Sequence, residues 1–179
     1  FVMDAVGIQQ LWRERDPALL RLLLPAGLIG TVVGTLLFGV LSGRTVAAVV
    51  GGLTLLFLAQ RLLFAPRAEA PPPPRKLGFV LAIASGFTSF VAHAGTPPIS
   101  AYVLPLRMPP VTFAATMAVF FGALNLSKWI PYAWLGLIDG RNLATSVLLM
   151  PLAPLGVWMG IWLTKRIHSS WFYRLAYTG

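Results

Sequence analysis

The sequence predicts an all-α, polytopic membrane protein, a helical bundle of two inverted repeats with broken, re-entrant helices. Three observations predict it. The 179 residues are 57% hydrophobic and 11% charged, with a mean hydropathy of +0.77, whereas a soluble domain carries roughly 25% charged residues. Apolar runs of the length a bilayer requires, about 20 residues, recur between short charged turns. One such run is interrupted by hydroxyls, an imidazole, glycines and a Pro-Pro pair. Cysteine is absent, which excludes disulfides and thiolate metal sites.

Taken in order, residues 1–11 read as the tail of a spanning helix carrying Asp4. The opening Phe1-Val-Met-Asp4 has no basic start and no cleavage site, so the chain is expected to begin inside a helix, with an upstream part missing. Trp12 marks an interface, and Arg13-Glu-Arg-Asp16-Pro17 is a polar loop ending in a helix-start signal. Residues 19–41 form a span in which Gly30 and Gly34 supply the small-xxx-small spacing that lets another helix approach closely. Residues 42–45 are a turn and 46–64 a second span. Residues 65–76, with four consecutive prolines, read as an extended linker between two halves; a docking site for a partner domain is the other reading. The sequence thus divides into 1–64, the remainder of a first repeat; 65–76, a cytoplasmic linker; and 77–179, a second repeat.

The second half opens on the interrupted run, Ser85-Gly-Phe-Thr-Ser-Phe-Val-Ala-His-Ala-Gly-Thr-Pro-Pro-Ile-Ser100. Helical spacing puts Ser85, Thr88, Ser89 and His93 on one face. Gly95 is expected to end the helix, and Pro97-Pro98 to open a new arm over 99–106. Residues 112–127 are a span that continues through Lys128 to 138. Asp139-Gly-Arg141 is a turn, 143–163 a span, and 171–179 the opening of a last helix.

Sliding the chain on itself by 126 positions superposes Pro25 on Pro151, Gly30 on Gly156 and Gly34 on Gly160. Transporters are often built from duplicated halves of opposite orientation. Charge placement agrees. If the interrupted run dips in and returns to its own side, eleven Lys and Arg fall on one face and two (Arg44 and Arg141) on the other, with Lys128 inside. If it crosses, the division is eight against five. The first bias is the stronger under the positive-inside rule, so the re-entrant hairpin is expected. Membrane topology then accounts for the net charge of +9 without a nucleic-acid partner. By the same offset, the counterpart of the hairpin would precede Phe1.

Lipid cannot bond a freed backbone, so irregular chain at membrane depth must line protein or a watery cavity. The break is therefore the candidate binding site, with Ser89, His93, Gly95, Thr96, Pro97 and Pro98. His93 either binds an oxyanion or a proton or satisfies a freed carbonyl. The hydroxyls either bind or pack. The start of the second arm points a positive dipole end at the break, which favours anions. Lys128, with Asn125 on its face, either draws an anion inward, snorkels beside Trp129, or pairs with Asp4. Ser89 and His93 lack a nucleophile elbow or a third orienting group, and His93 and His168 are too far apart to be a metal cluster, so no enzyme is expected.

On the residues of 85–100, the chain resembles the TauE/SafE family of sulfite exporters and related anion permeases. Val119-Phe-Phe-Gly-Ala-Leu-Asn-Leu-Ser-Lys128, Pro151-Leu-Ala-Pro-Leu-Gly156, Trp171-Phe-Tyr-Arg174 and the Leu24-Pro25 helix extend the resemblance over nearly the whole chain. Thr96 stands where a second Gly is common in the family, and the family's Gly-rich first hairpin is lacking. The resemblance implies secondary transport of small sulfur-containing or carboxylate anions by two related halves. The expectation is an alternating-access carrier of sulfite or organosulfur compounds such as sulfonates, multi-pass in the inner membrane. It would have no cofactor beyond a coupling ion such as H⁺ or Na⁺, with lipid and a small anion as partners and a homodimer as the assembly considered. An anion-selective channel and a carboxylate carrier are the alternative readings.

Overall fold

The computed structural model describes residues 2–63, 72–136, 147 and 150–178. The prolines at 65–71, the turn Asp139-Gly-Arg141 and most of 143–149 lie outside these. Among the described residues every element is helical. Pro17–Phe38, Arg75–Ala92 and the run Pro110–Trp134 are long and apolar enough to cross a membrane. The fold is that of an all-α membrane protein. Leu36, Val40, Leu55, Leu56 and Val80 stand exposed, an apolar surface suited to lipid.

The chain folds as two compact units. The first joins Phe1–Leu19 to Met108–Gly179. It contains α1 (Val2–Leu11), α6 (Pro110–Ser127), α7 (Trp129–Trp134), α8 (Leu152–Arg166) and α9 (Ser169–Thr178). Helix α1 packs on α6 and α8 around Leu11, Ala115 and Ile161. Gly122 of α6 admits Ile8 and the Cβ of Asp4. Two polar ties reinforce the unit: the Asp16 N–H donates to the buried Thr116 hydroxyl (3.0 Å), and the Tyr173 hydroxyl donates to the Met108 carbonyl (2.6 Å). The Asp16 carboxylate accepts from the Leu19 N–H at 3.0 Å, so Asp16-Pro17 is an N-cap followed by proline at the first helical position, as its sequence predicts.

The second unit, Leu20–Arg107, holds most of α2 (Pro17–Phe38), then α3 (Gly43–Leu63), α4 (Arg75–Ala92) and α5 (Thr96–Val103). The glycines of α2 meet α4. A Cβ on Gly30 would overlap the Ile83 carbonyl, and one on Gly86 the Gly27 carbonyl. Gly34 faces Phe90, whose ring meets Phe38 edge-on at 5.8 Å. The small-xxx-small spacing thus serves a close helix pair, and its partner is the first arm of the interrupted run. Helix α3 packs on α4 and α5.

The interrupted run is a hairpin. Ser85 of α4 bonds Gly95 at the start of α5, and Gly78 near the start of α4 lies under the Tyr102 ring near the end of α5. These contacts run in opposite directions along the two arms, so the chain turns and comes back. The returning arm has 8 residues, a length of about 12 Å at 1.5 Å per residue, and cannot cross the roughly 30 Å hydrocarbon core.

Gly86→Ala should lower the thermal midpoint in detergent, because the added methyl strikes backbone and overpacking costs ~1–3 kcal/mol. Gly52, which has nothing within 4 Å of a built Cβ, should tolerate alanine with an equal or higher midpoint, since glycine inside a helix costs ~0.5–1 kcal/mol relative to alanine.

Candidate functional site

Helix α4 runs to the neighbourhood of His93, as its sequence predicts, but Gly95 is not the residue that ends it. Its last helical residue is Ala92, and His93 itself takes the left-handed conformation (φ 53°, ψ 25°). Gly95 is right-handed (φ −77°) and caps the next helix. A β-carbon makes the left-handed region unfavourable, so a non-glycine residue there is held by its surroundings. The holding contact is visible: the Thr88 carbonyl accepts the backbone N–H groups of both His93 and Ala94 (3.2 Å for Ala94). The helix stops as the backbone closes on the Thr88 carbonyl, five and six residues back, instead of continuing the i−4 ladder.

The hydroxyls expected to line the break divide by task. Ser85, fully buried, donates to the Gly95 carbonyl at 2.6 Å and ties the two arms. Thr88, also buried, donates to the Ala84 carbonyl at 2.8 Å. Ser89 is 4% exposed, and Ser100 is buried in α5. Thr96 and His93, by contrast, are exposed. The Ser85 hydroxyl joins the arms, Thr88 bonds within its own helix, and the open side chains are those at the turn.

Pro97 and Pro98 stand in the first turn of α5 and carry no N–H. Of the donors a helix start normally presents, this one retains the amides of Gly95 and Thr96. No backbone hydrogen bond from either is found among the described residues. The α5 start therefore offers two amides, the Thr96 hydroxyl and the positive end of the helix dipole, with His93 in the same turn. That set suits one small oxyanion.

Asn125 and Lys128 lie in the other unit. Lys128 follows the last residue of α6 and precedes α7, and its side chain is 2% exposed. Its ammonium donates to Asn125 Oδ1 at 3.2 Å, and Asn125 Nδ2 donates to Asp4 Oδ2 at 3.0 Å. Of the three sequence readings of this lysine, the structure displays the association with Asp4, relayed by an amide. The hairpin residues thus come together in one unit, and Asn125 and Lys128 in the other. Sequence reasoning named Asp4 only as a partner of Lys128, and missed Asn125 as the link because that bond joins residues 121 positions apart. Among the described residues no group of His, Asp and Glu is placed to hold a metal ion.

His93→Gly should stabilise the protein relative to His93→Ala by ~1–2 kcal/mol in thermal unfolding, because alanine keeps the left-handed strain that glycine relieves. Lys128→Met should cost ~3–5 kcal/mol, since it strands a carboxylate in an apolar helix pair. Adding Asp4→Asn to it should recover part of that loss in a double-mutant cycle.

No curated protein and no solved structure matches the chain. The family of the sulfite exporter TauE/SafE matches residues 1–179, the whole of it. With its apolar spans and its broken hairpin, the chain belongs to the TauE/SafE sulfite exporter family of membrane transporters.

Proposed function

We propose that the protein is a secondary carrier, multi-pass in the inner membrane, that moves sulfite or a small organosulfonate by alternating access. The cargo sits at the start of α5. Its oxygens accept from the Gly95 and Thr96 amides and the Thr96 hydroxyl, with His93 closing one side and Ser89 behind. The observation that carries this reading is the turn itself, where the exposed Thr96 hydroxyl and His93 adjoin a helix start whose Gly95 and Thr96 amides make no backbone hydrogen bond among the described residues. Two backbone amides fit a compact tetrahedral or pyramidal oxyanion, and the missing amides of Pro97 and Pro98 keep the site from enclosing a larger one. Alternating access requires the hairpin to move as a piece. The Ser85–Gly95 bond and the Gly78–Tyr102 contact couple its arms, so rocking of the hairpin would carry the bound anion with it.

The complete protein in proteoliposomes should take up ³⁵S-labelled sulfite saturably and show counterflow against unlabelled sulfite. Thr96→Val should raise the half-saturation concentration about tenfold or more, the worth of a hydrogen bond to a charged group, ~1.5–3 kcal/mol. His93→Gly should fold and lose affinity as well. Unsaturated flux with single-channel currents would show a pore; saturable uptake of acetate or succinate but not sulfite would assign a carboxylate carrier.

A further inference from the structure

One end of the first unit gathers cations and tryptophans above an open apolar face. Gly7 of α1 meets Val157 of α8, and Leu11 and Ile161, four residues further along each helix, share one core cluster. The two helices therefore run in the same direction, and the chain leaves both at the same end. Trp12, Arg13 and Arg15 follow α1, and the last turns of α8 carry Trp162, Lys165 and Arg166. Val111 packs on the same cluster, so α6 starts at this end as well. The sequence puts these four cations on one side of the membrane when the interrupted run re-enters, and the pairing of α1 with α8 brings them to one end of the unit.

Two of the cations are held on rings. The Arg15 guanidinium lies 3.5 Å from the centroid of Trp12 and donates to the Trp12 carbonyl; that of Arg166 lies 4.5 Å from the centroid of Trp162. A guanidinium stacked by its face keeps N–H groups at its edge for another partner, and their fork matches a phosphate. Tryptophan settles at the headgroup level of a bilayer, so a cation stacked on it is kept at that depth. Helix α9 marks the same level. Phe172 meets Phe113 edge-on at 5.5 Å and the Tyr173 hydroxyl donates to the Met108 carbonyl, which docks one side on the start of α6. Trp171 and Leu175, one turn apart, are exposed. With ten residues and one apolar side open, α9 suits the plane of the interface.

Below the cations α8 exposes Leu152, Leu155, Met159 and Trp162. From Leu152 to Trp162 is about 15 Å at 1.5 Å per residue, half of the roughly 30 Å hydrocarbon core and so the depth of one leaflet. The internal repeat supplies a comparison. The offset of 126 sets Ile29, Val33 and Leu36 of α2 against Leu155, Met159 and Trp162, and the α2 residues are exposed too. Both strips suit acyl chains. The α2 strip, however, ends in Gly39-Val40, without charge, where α8 has Lys165-Arg166. At the α8 end, Arg13, Arg15, Lys165 and Arg166 stand against the carboxylates of Glu14 and Asp16, and that of Asp16 already caps α2. The excess is positive, and a phosphodiester carries the charge that balances it. We propose that this end of the unit binds an anionic phospholipid. Its phosphate sits on Lys165 and Arg166, Arg13 and Arg15 add their charge, and its acyl chains lie along Leu155, Met159 and Trp162. This inference concerns lipid and stands apart from the identity of the cargo.

The test uses the complete protein in detergent, native mass spectrometry, and two lipids with identical chains, phosphatidylglycerol and zwitterionic phosphatidylcholine. Wild type should retain phosphatidylglycerol at least tenfold more tightly. Each Lys or Arg near an anionic membrane surface is worth roughly fivefold in binding. Lys165→Gln combined with Arg166→Gln should therefore lower the affinity for phosphatidylglycerol at least tenfold and leave that for phosphatidylcholine unchanged. Lys165→Gln alone should show about a fivefold loss, which keeps the test open if the double variant is poorly folded. Arg44→Gln, at an exposed cation of the other unit, should change neither affinity. Phosphatidylglycerol should also raise the thermal midpoint of wild type and not that of the double variant. Equal retention of the two lipids by wild type, or an equal loss in Arg44→Gln, would overturn the proposal. So would an equal rise in midpoint from inorganic phosphate, which marks a phosphate site without lipid, or a dimer that retains no lipid, which marks a second copy as the occupant of the α8 face.

Discussion

A helix that stops inside a membrane frees carbonyls and amides that lipid cannot bond, and everything in the hairpin follows from how they are met. The Thr88 carbonyl is met by two backbone amides of the turn, and the Gly95 carbonyl by the hydroxyl of Ser85. Both contacts come from within the hairpin. These two acceptors are therefore met internally, while the amides of buried Gly95 and exposed Thr96 make no backbone hydrogen bond among the described residues. On the reading proposed above, an anion would be bound there without a cation in the turn; the buried hydroxyls of Ser85, Thr88 and Ser89 belong to α4 and the exposed one to Thr96.

Close packing serves the same end. Glycines of α2 and α4 bring the two backbones together where no side chain would fit, and Tyr102 closes over Gly78 at the other end of the hairpin. A short arm of eight residues has little helical stability of its own. Buried Pro98, Ile99, Ala101 and Val103 and the prolines that fix its first turn supply the rest. In the other unit the charges of Asp4 and Lys128 are spanned by one amide, so that an apolar helix pair holds a titratable pair at no net charge.

Much of this was legible in one dimension. Hydropathy marked the spans Pro17–Phe38 and Pro110–Trp134, the Asp16-Pro17 pair marked a helix start, and Gly30 and Gly34 announced a close helix contact. The Pro-Pro pair announced the break. What the sequence could not name were the partners: that α2 meets α4, that Ser85 reaches Gly95, and that Asn125 stands between Lys128 and Asp4. Those depend on chain brought together from far apart. The helix stop was misassigned for a local reason. Glycine is the usual left-handed residue, and Gly95 drew that role, but the contacts of Thr88 placed the turn two residues earlier and imposed it on a histidine. The proline pair was read as a start signal, which it is, although it also removes two of the amides that a helix start offers.

The absence of cysteine makes the central claim directly measurable. A single cysteine at Thr96 in the complete protein, in membranes, should react with a membrane-impermeant maleimide, and sulfite should slow that reaction. A cysteine at Val80, on the exposed apolar side of α4, should stay unreactive. A Thr96 cysteine that no impermeant reagent reaches from either side, or that reacts equally fast with and without sulfite, would contradict an anion site at the start of α5.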